Sequence, residues 1–279
     1  MRYQETLYSE WGQNFEQGTT LFEAATDHQQ LIIFENPRFG RVMALDGVIQ
    51  TTEADEFVYH EMMVHVPMNT HPCPARVLII GGGDGGILRE VLKHPTVESV
   101  TQVEIDRAVV DMCIEYFPKH SDGAFEDPRL NLVIDDGAAF IANNQEQFDV
   151  IITDSTDPIG PGEVLFESAF YQGCANALTD NGILVTQNGV PYMQGDEVTN
   201  TYRRWKSYFQ TRSFYLTPVP TYAGGAMAMG FASKALIATP SIDDLSARSN
   251  ALMGLKYYTP EVHHGAFGLP RFVQDLMVD

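Results

Sequence analysis

Basic side chains are scarce in this sequence. Lysine and arginine together make up 17 of its 279 residues, against 37 aspartates and glutamates, and the formal net charge is −20. Nucleic acids and anionic membranes are bound through lysine and arginine, so neither is expected as a partner. The excess of acid mostly serves solubility, but it also favours cationic ligands.

Cysteine is scarce as well, and long apolar runs are missing. Cys73, Cys113 and Cys174 are odd in number, widely separated and form no C-x-x-C pair, so we expect neither a disulfide framework nor a cysteine metal site. The N-terminal stretch MRYQETLYSEWGQ is too polar for a signal peptide, and no apolar run reaches the length of a membrane span. The expected location is therefore cytoplasmic.

A change of pattern near residue 53 predicts two domains. Short strand-like runs, with a tight hairpin turn at Asp46-Gly47, fill much of residues 1–52. A helix is predicted over 53–66, because Thr52 and Asp55 resemble a capping box and Pro67 ends the apolar pattern. We predict a small antiparallel β domain over residues 1–52 and a larger α/β domain over 53–279.

The larger domain is predicted to be Rossmann-like. Strands and helices alternate from residue 75 onward, which indicates a mostly parallel sheet with helices on both faces. Two late strands, near 212–217 and 226–233, have no long helix between them and should close the sheet as an antiparallel pair. The parallel strands are predicted at RVLII (76–80), SVTQVE (99–104), LNLVID (130–135), FDVIITD (148–154) and GILVTQ (182–187), and helices near 85, 106, 137, 166 and 196.

The first parallel strand leads into a glycine loop that contains an acid. In IIGGGDGGILREV (79–91), Gly81, Gly83 and Gly86 match the G-x-G-x-x-G pattern that binds a dinucleotide pyrophosphate at a helix N-terminus. Asp84, inside that loop, would repel a pyrophosphate. Glu104 ends the second strand about 20 residues later, where an acid is placed to bind ribose hydroxyls.

The third and fourth strands also end in carboxylates. Asp135-Asp136-Gly137 is suited to accept a hydrogen bond from an exocyclic amine such as that of adenine. The next loop, DSTDPIGPGE (154–163), carries Asp154 and Asp157 between prolines and glycines, which is typical of a lid with reactive groups. Since no lysine or arginine stands at these strand ends, the pattern favours a positively charged adenine nucleoside, such as an S-adenosyl sulfonium compound. Together with the late antiparallel pair of strands, it favours a Rossmann-like domain of the S-adenosylmethionine-dependent methyltransferase type.

The sequence resembles the polyamine aminopropyltransferases, the family of the bacterial spermidine synthases, over nearly its whole length. The resemblance is carried by segments that include FGRVMALDGVIQTTEADEFVYHEMMVHVP, VLIIGGGDGGILREV, VIDDGAAF, DVIITDSTDPIGPGE, QNGV and PTYAGG. It implies transfer of a 3-aminopropyl group from decarboxylated S-adenosylmethionine to putrescine, with spermidine and methylthioadenosine as products. The donor would be a co-substrate and the sulfonium a good leaving group, so no cofactor or metal is implied. A homodimer or homotetramer is the usual assembly.

The resemblance also assigns site residues by motif. Asp154 would accept a proton, and Trp11 would wall the diamine channel. Position 60 holds a histidine where many members of the family have glutamine. The residues assigned to the methylthioadenosine part are Gln29, Glu104, Asp136, Gly137 and Pro161. Those assigned to the polyamine part are Tyr59, His60, Asp84, Asp154, Ser155, Thr156, Asp157 and Tyr222.

Other functions remain open on the sequence. They are a relative that methylates putrescine or extends a longer amine, a non-catalytic module that binds adenosine or polyamine, and, remotely, a nicotinamide dehydrogenase. A zinc site is not expected in HEMMVH, because His60 and His65 are five residues apart and not the four that place two ligands on one helix face.

Overall fold

The N-terminal part of the chain is built from antiparallel strands. The computed structural model describes residues 1–144, 147–155 and 160–278, with the backbone alone at 160 and 161. Asp46 and Gly47 both have positive φ, 47° and 87°, as the predicted hairpin turn requires. The strands are β1 (Arg2–Gln4) and β2 (Asn14–Glu16), which pair with each other, and the four-stranded sheet β3 (Thr20–Ala25), β4 (Gln30–Asn36), β5 (Gly40–Leu45) and β6 (Val48–Thr52).

The rest of the described chain forms a seven-stranded sheet with helices. The helices are α1 (Glu56–Thr70), α2 (Gly86–Leu92), α3 (Arg107–Tyr116), α4 (Pro118–Ser121), α5 (Gly137–Asn143), α6 (Ser168–Ala177), α7 (Gly195–Trp205), α8 (Ile242–Ser249), α9 (Pro260–Ala266) and α10 (Arg271–Leu276). Short 3₁₀ turns lie at Ala124–Glu126 and Gly160–Phe166. The strands are β7 (Arg76–Gly81), β8 (Ser99–Glu104), β9 (Leu130–Ile134), β10 (Phe148–Asp154), β11 (Leu178–Gln187), β12 (Thr211–Thr217) and β13 (Met227–Ser233).

The sheet order is β12-β13-β11-β10-β7-β8-β9. β9, β8, β7, β10 and β11 run parallel, and β13 pairs antiparallel with both β11 and β12. Val77 and Ile79 pack into the core on one face of the sheet, while Leu78 and Ile80 pack into the core on the other. A run of apolar residues is needed here because both faces of a parallel sheet are buried. The predicted Rossmann-like fold, including the late antiparallel pair, is confirmed.

The first helix differs from the prediction at its end. Pro67 lies inside α1, which continues to Thr70 and does not stop at residue 66. A proline removes one backbone donor, but the last turn is buried, and Arg248 of α8 donates hydrogen bonds to the carbonyl oxygens of Asn69 and Thr70 at 2.7 and 2.9 Å. These tertiary contacts stabilise the last turn of α1, whereas the local sequence pattern alone predicts that the helix ends before it.

Two further features were not predicted. Strands β1 to β3 and the short helices α4, α8, α9 and α10 had no assignment from the sequence. They lie outside the alternation of strands and helices from which the other elements were predicted, and segments of three to eight residues carry little periodicity of their own. Within the described ranges, no helix combines the length and apolar composition that crossing a membrane requires.

Candidate active site

A cavity opens at the carboxyl ends of the parallel strands. It lies where β7 and β10 meet, with β8 and β9 on one side and β11 on the other, which is the switch point where such sheets bind ligands. Residues of the N-terminal sheet also line it. Among the lining residues that the structure describes there is no lysine or arginine, and His60 is the one histidine. The carboxylates that line it are Glu5, Asp84, Glu104, Asp136 and Asp154.

The glycine loop allows the walls of this cavity to come close. Gly81 has a φ of +84°, and a Cβ there would lie 2.0 Å from the carbonyl oxygen of Asp154 on the adjacent strand. A Cβ on Gly86 would lie 2.2 Å from the imidazole ring of His60. Any side chain at these two positions would therefore push apart the groups that face the cavity.

Asp154 and Tyr59 form a hydrogen-bonded pair between the sheet and α1. The Tyr59 hydroxyl donates to Oδ1 of Asp154 at 2.5 Å, across 95 residues of sequence. Burial and the charge of Asp84 raise the pKa of Asp154 to about 6, against the opposing effects of the Tyr59 hydrogen bond and His60. Asp154 is therefore suited to exchange a proton near neutral pH.

Tyr222 completes an aromatic wall next to this pair. Its ring centroid is 5.8 Å from that of Tyr59 with an interplanar angle of 79°, and its hydroxyl donates to the carbonyl oxygen of Gln50 at 2.6 Å. The loop that carries it is held by Asp55, which accepts hydrogen bonds from the backbone N–H and the hydroxyl of Thr221 at 2.9 and 2.7 Å. Asp55 thus fixes the position of one tyrosine relative to the other.

Asp84 and His60 are both buried and in contact. Oδ1 of Asp84 accepts the backbone N–H of Gly86 at 2.8 Å, and its Oδ2 lies 3.2 Å from Nε2 of His60. Burial raises the pKa of Asp84, but the charge and hydrogen bond of His60 outweigh it and hold that pKa well below the usual range. The glycine loop therefore presents an ionised carboxylate to the cavity.

Glu104 and Gln29 lie toward β8. Glu104 is buried and accepts the backbone N–H of Asp106 at 2.9 Å, and burial raises its pKa to about 7. Gln29, from the loop before β4, donates to Asp106 at 3.1 Å. Asp106 also caps α3 by accepting the N–H of Ala108 at 3.0 Å. These bonds attach the N-terminal sheet to the edge of the cavity.

Asp136 and Gly137 line the cavity at the start of α5. Asp136 is exposed, and its Oδ1 accepts the backbone N–H groups of Ala138 and Ala139 at 2.7 and 3.2 Å. One oxygen of this carboxylate therefore caps the helix, a role that the sequence pattern did not distinguish from ligand binding.

The remaining predicted residues are only partly covered by the described structure, and one of them does not line the cavity. Ser155 lines the cavity, whereas Thr156 and Asp157 lie outside the described residues, as does the side chain of Pro161. Trp11 is 47% exposed and is not among the described residues that line the cavity. Its neighbour Tyr8 lines it instead, with its hydroxyl 2.8 Å from Oε1 of Gln194.

Sequence reasoning missed several polar residues that line the cavity, and it did not assign to Asp55, which lies behind the wall, its contact with Thr221. Glu5 and Tyr8 come from the N-terminal segment, and Gln187 comes from the end of β11. Gln187 is buried, and its Oε1 has no hydrogen-bond partner among the described residues. It stands at the end of a parallel strand in the segment QNGV, which is a signal that was available. Glu5 precedes the first long strand, and no pattern in the sequence marked it as a cavity residue.

The described residues include no group of three or more histidine, cysteine, aspartate or glutamate side chains that could hold a metal ion. His65 is buried, with Nε2 2.9 Å from Glu90 and Nδ1 2.9 Å from His94. His60, five residues earlier in α1, contacts Asp84 of the glycine loop. The two histidines of HEMMVH therefore serve separate contacts.

Two family models match the chain. Residues 56–243 match the spermine/spermidine synthase domain, and residues 6–53 match the spermidine synthase tetramerisation domain. A polyamine aminopropyltransferase of Pseudomonas syringae pv. tomato is 59% identical over 274 residues, which is 97% of this chain and 96% of that protein. One from a Ruegeria species is 55% identical over 275 residues, or 98% of this chain and 96% of that protein.

Solved structures agree with these matches. A spermidine synthase in complex with the transition state analogue AdoDATO superposes with a TM-score of 0.93 at 41% identity, over 99% of this chain and 94% of that one. The spermidine synthase of Thermotoga maritima superposes with a TM-score of 0.91 at 40% identity, over 99% and 94%. The chain belongs to the spermine/spermidine synthase family of polyamine aminopropyltransferases.

Proposed function

We propose that this chain is a spermidine synthase that transfers the 3-aminopropyl group of decarboxylated S-adenosylmethionine to putrescine, releasing S-methyl-5′-thioadenosine. The observation that supports it most is the cavity of carboxylates at the switch point of the sheet, with no lysine or arginine among its described lining residues. A nucleoside that carries a sulfonium and an ammonium finds opposite charges there, whereas a pyrophosphate would meet repulsion.

The donor's adenosyl part is assigned to the β8 side of the cavity. Glu104 would accept hydrogen bonds from the ribose hydroxyls, and Asp136 from the adenine amine, with Gln29, Gly137 and Pro161 beside them. Ribose binding favours ionised Glu104, whose pKa of about 7 in the empty site leaves it partly protonated at neutral pH. Asp84 would bind the ammonium of the aminopropyl group and so fix the line of attack.

The acceptor amine is assigned to the pair of Asp154 and Tyr59. The amine nitrogen forms a bond to the propyl carbon that is attached to sulfur, while the bond from that carbon to sulfur breaks. The electron pair of the broken bond goes to sulfur, which leaves as the neutral thioether methylthioadenosine. A primary ammonium has a pKa near that of lysine, about 10.4, so it must lose a proton before attack. Asp154 and Tyr59 would orient the neutral amine, and Asp154 would accept a proton as the bond forms.

The far end of the acceptor is assigned to His60, Tyr222 and the loop of Ser155, Thr156 and Asp157. The proposed reaction needs no cofactor or metal, because the sulfonium of the donor already carries a good leaving group, the neutral thioether. The chain is proposed to act in the cytoplasm as a homodimer or homotetramer, with an N-terminal domain over 1–52 and a catalytic domain over 53–279. The match of residues 6–53 to a tetramerisation model supports assembly through the N-terminal domain.

Mass spectrometry of the products tests this function. The purified chain is incubated with decarboxylated S-adenosylmethionine and, separately, putrescine, cadaverine and spermidine. We expect spermidine and methylthioadenosine in equal amounts with putrescine, and much slower reaction with the other two amines. Faster turnover of a longer amine, or a methylated putrescine from S-adenosylmethionine, would contradict the proposal. Tight donor binding without any transfer would indicate a non-catalytic binding module.

A further inference from the structure

His60 lies between two carboxylates that both need a proton from it. Its Nδ1 is 2.6 Å from Oε2 of Glu56, and its Nε2 is 3.2 Å from Oδ2 of Asp84. A neutral imidazole has one N–H group, and an ionised carboxylate only accepts hydrogen bonds. Both contacts are satisfied together only when the ring carries two protons or when one acid is protonated.

Other donors keep both acids ionised. Oε2 of Glu56 also accepts a hydrogen bond from Nη2 of Arg89 at 2.8 Å, and Oδ1 of Asp84 accepts the N–H of Gly86 at 2.8 Å. Hydrogen bonds and a cation of this kind stabilise the charged form of a carboxylate. The second proton therefore resides on the His60 ring.

The ring cannot turn away from this arrangement. His60 is 3% exposed, and the ring packs against Gly86, where a Cβ would lie 2.2 Å from it. Arg89 forms an ion pair with Glu90 at 2.7 Å and donates hydrogen bonds to two backbone carbonyl oxygens of α4. These contacts fix the position of Arg89, which in turn fixes the carboxylate of Glu56.

The ionisable groups around the ring balance in favour of an imidazolium. Burial lowers the pKa of His60, but the carboxylates raise it to about 10. His120 of α4 has its ring 6.0 Å away, and its pKa is lowered by burial, so it adds no fixed charge at neutral pH. The ionisable groups that surround the His60 ring are Glu56 on the same helix, Asp84 in the glycine loop, Tyr59 and Asp154 on the cavity side, Arg89 on the far side of Glu56, and His120 in α4.

We propose that Glu56 is a positioning residue that holds His60 as the counter-ion of Asp84 in the empty site, and that binding of the donor's ammonium at Asp84 releases the His60 proton. This inference rests on the proposed function, which brings that ammonium to Asp84. Otherwise the imidazolium and the ammonium would both face the carboxylate of Asp84. The ammonium takes over as the counter-ion of Asp84, which removes one of the two contacts that hold the second proton on the ring. An unperturbed imidazolium has a reference pKa about four units below that of an alkylammonium, so the ring is the group that loses its proton.

The proton balance is simple. In the empty site Nδ1–H donates to Glu56 and Nε2–H donates to Asp84. When the ammonium arrives, Nε2 loses its proton to solvent and becomes an acceptor that faces the ammonium, while Nδ1–H stays on Glu56. The site exchanges one cation for another, so its net charge near Asp84 is unchanged.

Calorimetric titration in buffers of different ionisation enthalpy counts the released protons. The titration is run at pH 8, above the pKa values of about 6 for Asp154 and about 7 for Glu104, so that these acids contribute little. Decarboxylated S-adenosylmethionine is compared with methylthioadenosine, which lacks the aminopropyl ammonium and also the sulfonium charge. We expect the donor to release about one proton more than methylthioadenosine does.

Three variants test whether the released proton comes from the His60 ring and depends on Glu56. In His60→Gln the difference between the two ligands should vanish. In Glu56→Gln the ring loses one of its two acids, so the release at pH 8 should fall by at least about half and shift to lower pH. Glu53→Gln, which removes an exposed carboxylate three residues earlier, should leave the release unchanged.

Two results would overturn the inference. One is equal proton release with donor and methylthioadenosine in the unmodified chain, and the other is undiminished release in His60→Gln. If the variants fail to fold, nitrogen NMR of the His60 ring in the unmodified chain decides, because both ring nitrogens should remain protonated at pH 8 until donor is added. Spermidine formation in the same preparation separates the two proposals: turnover without proton release refutes only this inference, whereas absence of donor binding and turnover refutes both.

Discussion

Replacement of Asp154 by asparagine tests the proton acceptor. The side chains have nearly the same shape, and the asparagine oxygen can still accept the Tyr59 hydroxyl that lies 2.5 Å from Oδ1. The change therefore removes charge and basicity while it keeps the local geometry. A positioned general base contributes about 10²–10⁴-fold, so kcat should fall by that factor, or about 3–5 kcal/mol in activation free energy.

Donor affinity should change far less than kcat. The donor's ammonium is assigned to Asp84 and its ribose to Glu104, and neither side chain is altered. The assays are steady-state formation of methylthioadenosine at saturating substrates and calorimetric binding of the donor. Asp111→Asn, which removes an exposed acid on α3, serves as the control for loss of one charge.

The pH dependence gives a second readout of the same variant. Below pH 6 both Asp154 and Glu104 take up protons in the empty site, since their pKa values are raised to about 6 and about 7. The carboxylate forms are the active ones, so kcat/KM for the donor should rise with pH, with a logarithmic slope of about two below pH 6. In Asp154→Asn the slope should fall to about one. A kcat within about threefold of the unmodified chain, or an unchanged slope, would refute the assigned role.

Three further predictions concern the walls of the cavity. Asp84→Asn should lower activity and reduce discrimination against S-adenosylmethionine, whose carboxylate no longer meets a charge; unchanged selectivity in binding assays would contradict this. Gly86→Ala should destabilise the fold by about 1–3 kcal/mol in urea unfolding and weaken donor binding, because its Cβ would lie 2.2 Å from the ring of His60. Gly265→Ala, inside α9, where a Cβ meets open space, is the matched control and should be neutral or slightly stabilising. Asp55→Ala should cost about 2–4 kcal/mol, since it leaves buried donors of the loop after β12 unpaired, and should raise the acceptor KM; an effect on stability alone would limit Asp55 to a structural role.

Much of the fold was predictable because it depends on local pattern. The apolar run before the glycine loop has to be a buried strand, and the alternation of strands with helices permits few arrangements other than a parallel sheet. The strand ends then follow, and with them the cluster of Asp84, Glu104 and Asp154. The helix end at Pro67 was predicted wrongly because it depends on Arg248, a residue about 180 positions away in the chain.

The sequence by itself determined the kind of site, an acidic edge of a parallel sheet with no basic residue at its strand ends, since composition and strand order suffice for that. Only the tertiary structure decided which side chains touch. Tyr59 meets Asp154 across 95 residues, and His60 enters between Glu56 and Asp84 because Gly86 leaves room for its ring. Such contacts depend on how a helix seats on a sheet to within an ångström, and periodicity along the chain carries no information at that scale.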